Sequence, residues 1–146
     1  MKQGLYILLA LVLIVGIISI TSKNNNNSSN PEHTFATESS WLLSPTGKYG
    51  LSLEKCMDDG VESYRIIVCP YEVEHFTIKA ERVFRCRDTL LVLWDDTVDR
   101  IWAYSGDFGT FYWDIVDYEL VINQYTHANN EIVPDDLKIA KPKIYS

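Results

Sequence analysis

Apolar and polar residues alternate along the chain from Tyr49 onward. In 49–55, Tyr-Gly-Leu-Ser-Leu-Glu-Lys, the large apolar side chains recur at every second position, which is the pattern of a strand with one buried face. Asp59-Gly60 follows, the residue pair that a two-residue type I′ loop favours. With those two at its centre, the hairpin sets Leu53 opposite Ile66, Leu51 opposite Val68 and Lys55 opposite Tyr64. One face then collects Tyr49, Leu51, Leu53, Tyr64, Ile66 and Val68. Beyond Pro70, residues 73–79 and 81–86 read as two further strands carrying Phe76, Ile78, Val83 and Phe84.

The densest apolar stretch is 89–115, which holds Trp94, Trp102 and Trp113, three of the four tryptophans. It reads as a three-strand meander over 89–94, 100–104 and 110–115, with turns at 95–99 and 105–109 built from the residue types that turns use. Alternation places Trp102 and Tyr104 on one face and Ile101 and Ala103 on the other. Residues 115–122 carry apolar side chains at both alternate and helical spacings. A continuing strand, a new strand and a single helical turn all fit them. Residues 126–131 read as a polar loop, and Pro134-Asp135-Asp136-Leu137 as the first turn of a short helix that Pro142 ends. The expected fold is mainly β, a small antiparallel sheet or sandwich of about seven strands in meander hairpins.

The N-terminus departs from this pattern. Residues 4–20 are seventeen consecutive positions without a charge, about 26 Å as a helix. The run has no polar face, and the Ser19-Ile20-Thr21 stretch is a poor cleavage site, so an uncleaved transmembrane anchor is favoured over a cleaved signal, which would give a secreted product. Lys2 and the α-amino group precede the run and Lys23 follows it, a weak preference for a cytoplasmic N-terminus. The expected organisation is therefore an anchor or signal at 1–22, a polar linker at 23–40 opening with Lys-Asn-Asn-Asn-Asn-Ser-Ser-Asn, and a folded extracytoplasmic domain at 41–146.

Charge narrows the class of partner. Setting aside Lys2 and Lys23 from the 13 Lys and Arg leaves eleven beyond Pro31 against 20 acids, a formal charge of −9. Such a domain repels nucleic acid and anionic headgroups, so its contact with the membrane is expected through the N-terminal helix alone.

Two short motifs carry resemblances. Ser105-Gly106-Asp107-Phe108-Gly109, followed by Thr110-Phe111-Tyr112, resembles the Asp-box hairpin of sialidase and other propeller blades, with Ser105, Asp107 and Gly109 at the matching positions. The resemblance implies a structural turn in which the Asp107 carboxylate accepts backbone N–H bonds and glycine adopts a conformation barred to other residues. Ser44-Pro45-Thr46-Gly47-Lys48-Tyr49 is similar to the strand openings of propeller blades and of small uncharacterised anchored bacterial ectodomains.

Candidate chemistry is sparse. Cys56, Cys69 and Cys86 are an odd set without C-x-x-C spacing; the hairpin register separates Cys56 from Cys69, while a Cys69–Cys86 bridge and three free thiols both fit. His75 falls in a strand-like segment and His127 in a loop, beside no nucleophile. Asp95, Asp96, Asp99, Asp107 and Asp114 read first as turn chemistry, with a weak Ca²⁺ site or a carboxylate pair for glycan cleavage as the functional alternatives. No catalytic residue, metal set or cofactor is assigned. The remaining candidate is a ligand-binding face of Trp102, Tyr104 and Tyr112 beside Asp95 and Asp99, suited to a protein or saccharide partner unless another layer covers it. The expected function is a membrane-anchored extracytoplasmic binding module, with a small hydrolase acting on glycan, or less readily on nucleic acid, as the alternative.

Overall fold

The computed structural model describes residues 35–146; the expected anchor at 1–22 lies outside the described residues. The alternating pattern folds into two antiparallel meanders. β1 (Leu42–Leu43), β2 (Tyr49–Asp58), β3 (Val61–Pro70) and β4 (Ile78–Arg85) pair in that order in one four-stranded sheet, and β5 (Leu90–Trp94), β6 (Arg100–Ser105), β7 (Gly109–Val116) and β8 (Glu119–Gln124) in a second. The β2–β3 register is the expected one: Leu53 pairs with Ile66, Leu51 with Val68 and Lys55 with Tyr64. Its turn has φ of 47° at Asp59 and 79° at Gly60, the two left-handed positions that make a type I′ loop match the strand twist.

One expectation changes and one open reading is resolved. Residues 73–79 and 81–86 supply one strand, β4, and residues 71–77 are an irregular connection. Their alternation is deceptive because Val73 and Phe76 stand exposed and His75 takes a φ of 59°, which no strand accommodates. Residues 115–122, left open between three readings, divide into the end of β7 and a new strand. The turn between them holds Asp117 at φ 49° and Tyr118 at φ 62°.

The inner faces of the two sheets share one core. Leu51, Leu53, Ile66, Val68, Ile78, Ala80 and Phe84 of the first sheet meet Val92, Trp94, Ile101, Ala103, Phe111 and Trp113 of the second. Each large side chain so buried contributes about 1.5–3 kcal/mol relative to exposure. The second sheet is covered on its other face as well, which is why Leu90–Trp94 and Arg100–Ser105 read as nearly continuous apolar runs. There Leu93 and Trp102 pack with Val133, Leu137 and Tyr145 from the C-terminal segment, a 3₁₀ turn at His127–Ile132 followed by α1 (Asp135–Ala140) and α2 (Pro142–Tyr145).

The two seams of this sandwich differ. At the β1/β5 side, residues 35–40, which composition places in the linker, join the sheets. The Ala36 N–H donates to Val92 O at 2.6 Å, and Thr37 O accepts from the Leu53 N–H at 3.2 Å and from Ser52 Oγ at 2.9 Å. Trp94 Nε1 adds a bond to Leu42 O at 2.9 Å. At the β4/β8 side, among the described residues, no such strap runs between the sheets.

Candidate functional site

Of the face formed by Trp102, Tyr104 and Tyr112, Trp102 is internal to the fold and the two tyrosines are half-buried. Trp102 is 0% exposed beneath the C-terminal segment, its ring 4.8 Å from that of Tyr112. Its indole N–H donates to Asp95 Oδ2 at 3.1 Å, while Asp95 Oδ1 accepts from the Thr97 and Val98 N–H groups at 3.0 and 3.3 Å. Asp95 is therefore committed to its own turn and to one indole. Asp99 is committed elsewhere: its carboxylate accepts from the backbone N–H and the hydroxyl of Thr46, tying the β5–β6 turn to the β1–β2 turn. Cations cover the two half-buried rings of this face, Arg100 4.7 Å from the Tyr112 centroid and Lys141 4.8 Å from that of Tyr104. Arg100 also donates to Asp114 Oδ1 at 2.7 Å. Tyr145 closes the layer through a 2.7 Å bond between its hydroxyl and Thr110 Oγ1, and burial pushes its phenol up to about 12. The five candidate residues are thus gathered around one sheet, with Trp102 fully buried and Asp95 8% exposed.

In the 105–109 turn, Ser105 does the work the motif suggested for Asp107. Ser105 Oγ accepts from the N–H groups of Asp107 and Phe108, both at 3.3 Å, and Gly109 takes the left-handed φ of 81°. The Asp107 carboxylate faces Asp88 instead. Asp88 Oδ2 is enclosed without a donor, and the neighbouring Asp107 carboxylate holds the Asp88 carboxyl above the ordinary range by a hydrogen bond. Desolvation and the Asp107 charge push the same way against Arg85 and Arg87.

Cys56, Cys69 and Cys86 are free thiols. Cys69 pairs with Gly50 in β2, whereas the Cys86 N–H bonds Glu62 O, seven residues back along β3 from Cys69 and so about 23 Å away. The Cys69–Cys86 bridge is therefore closed off by geometry. His75 lies in the 71–77 connection and His127 stands with its ring 6.0 Å from that of Tyr125. Among the described residues, no three His, Cys, Asp or Glu side chains gather as a metal would require.

A groove of about 630 Å³ lies at the seam between β4 and β8. Ile78, Trp113, Leu120 and Ile122 line it beside the charged side chains of Lys79, Glu81, Arg82 and Glu119. Ile122 and Tyr118 are each 45% exposed beside it, and Tyr118 is steadied by an edge-to-face contact with Phe76 at 6.0 Å. Arg82 enters from β4 with its guanidinium 4.5 Å from the Phe111 centroid and 5.3 Å from that of Phe108. No local signal in the sequence marks this site, whose parts lie some forty residues apart in two different sheets. Compared with family models, with curated proteins and with solved structures, the chain matches none.

Proposed function

We propose that this chain is a membrane-anchored binding module, held by residues 1–22 with its folded domain outside the cytoplasm, and that it engages its partner through the groove between β4 and β8. The observation that carries this reading is the exposure of Ile122 and Tyr118 at a concave seam lined by apolar and charged side chains together, in a domain whose Trp102 layer is covered by the C-terminal segment. Monomeric domains seldom leave large apolar side chains gathered around a concavity without a use for them. The anchor is supported by the uncharged run 4–20 and the poor cleavage site after it.

A photo-crosslinking residue placed at position 122 in the full chain, expressed in its native membranes, tests the groove. The reading expects a covalent adduct from position 122 and none from position 62, at the far end of the β2–β3 hairpin. Equal labelling from both positions, or none from 122, contradicts it. N-terminal sequencing tests the anchor: the mature chain should begin at or next to Met1, and a start near Lys23 is the contrary result.

A further inference from the structure

We infer that the β4–β8 groove receives an extended segment of a partner polypeptide, which lies along the two sheet edges and sets one acidic side chain against the guanidinium of Arg82. The inference rests on the groove being the binding site and names the chemistry of its occupant.

The fold itself supplies the precedent. At the β1/β5 seam an extended segment, residues 35–40, satisfies both sheets at once through Ala36 to Val92 and Thr37 to Leu53. At the β4/β8 seam the two edge strands approach each other directly, and among the described residues no segment straps them together. β4 and β8 are the terminal strands of their sheets, so each presents one edge that pairs with no other strand among the described residues. An added strand satisfies such an edge, and its side chains fall alternately into the groove and away from it. The lining matches that period, with Leu120 and Ile122 two residues apart on β8.

Charge selects the occupant. Among the described residues no carboxylate lies within ion-pair distance of Arg82, whereas Lys79, the other cation lining the groove, is taken by Glu54 at 2.6 Å. Stacking on Phe111 and Phe108 fixes the plane of the Arg82 guanidinium and leaves its edge N–H groups to form a charge-assisted pair. Glu81 and Glu119 also line the groove and repel a run of acids, so a single acidic side chain among apolar ones is the complementary pattern. A saccharide is the poorer fit, because Trp113, the largest ring in the lining, is 1% exposed and offers no open face for a sugar to stack on.

The test uses the full chain in lipid nanodiscs, panned against a displayed library of random peptides about a dozen residues long, and a glycan array probed in parallel. The inference expects enriched peptides with alternating apolar residues and one Asp or Glu. Their binding should fall about tenfold on Arg82→Gln or on changing the peptide acid to its amide, and no further when both changes are made. Arg82→Lys, which keeps the charge, should restore part of the loss, and an unchanged melting midpoint in each variant excludes unfolding as the cause. Peptides without an enriched acid, or peptides that bind Arg82→Gln as tightly as the parent, overturn the inference. If those peptides still fail on Ile122→Lys, the groove reading survives and only the acid is wrong. Enrichment of glycans instead of peptides, lost on Ile122→Lys, overturns the polypeptide and keeps the groove. If neither library is enriched, both fall.

Discussion

The indole N–H of Trp102 donates to Asp95 Oδ2 at 3.1 Å, which joins the largest buried ring of the outer layer to the carboxylate that organises the β5–β6 turn. An aromatic ring and an acid side by side are also what a ligand-binding face would show. Burial decides between the two readings: Trp102 is 0% exposed, and four donors already converge on Asp95 from the indole, the Thr97 and Val98 backbone and the Thr97 hydroxyl.

Asp95→Ala should therefore destabilise the domain. It leaves an indole N–H and two turn N–H groups without their acceptor, at about 1–3 kcal/mol for each group that water does not reach. The thermal midpoint should fall by several degrees. Trp102→Phe combined with Asp95→Asn in a double-mutant cycle should show coupling of about 0.5 kcal/mol or more. A midpoint unchanged by Asp95→Ala would mean that the carboxylate is held for a ligand.

The C-terminal segment should behave as part of the core. Tyr145 is buried against the Trp102 layer and anchored through Thr110, and Asn130 Nδ2 donates to its carbonyl at 3.0 Å. Tyr145→Ala is expected to cost about 3–5 kcal/mol, the range for removing a buried aromatic ring. Chemical denaturation followed by tryptophan fluorescence measures it. A loss below about 1 kcal/mol would show the cover to be loosely held.

Around the 105–109 turn the two polar side chains should act in opposite directions. Ser105→Ala removes the acceptor of two backbone N–H groups and should cost about 1 kcal/mol or more. Asp107→Ala removes a like charge from Asp88 and should leave the midpoint unchanged or higher. Asp88 is an acid whose folded-state pKa is raised, so the native state holds its proton more tightly than the unfolded chain does. That contribution is complete below the ordinary Asp range, at about pH 4, and is lost as the pH rises through the raised value. Asp88→Asn, which mimics the protonated form, should thus raise the midpoint at neutral pH, with the gain shrinking to nothing in acid. A gain that grows in acid would reverse the sign of this account.

What the chain discloses before folding depends on how local each signal is. The β2–β3 register was legible because Asp59-Gly60 names its own turn and every pair follows from it. The β7–β8 turn is built on the same two left-handed positions, yet Tyr118 is no turn residue, so β8 stayed hidden inside an ambiguous apolar run. The segregation of Trp102 and Tyr104 from Ile101 and Ala103 was readable from period two. What covers them was not, since α1 and α2 offer only Leu137 and Tyr145 as buried anchors, too few for a helical period. Arg82 gave no signal either, because its value lies in Phe108 and Phe111, which a different sheet brings to it.

The outer aromatic layer is closed over Trp102, and among the described residues no strap covers the β4–β8 seam. Hydroxyl-radical footprinting of the full chain, read by mass spectrometry, tests both halves at once. Trp41, 51% exposed, and Tyr118, 45% exposed at the groove, should be oxidised rapidly, while Trp102 and Trp113, 0% and 1% exposed, should be protected until the domain unfolds. Oxidation of Trp102 at a rate comparable to Trp41, or protection of Tyr118 in the isolated chain, would contradict the account.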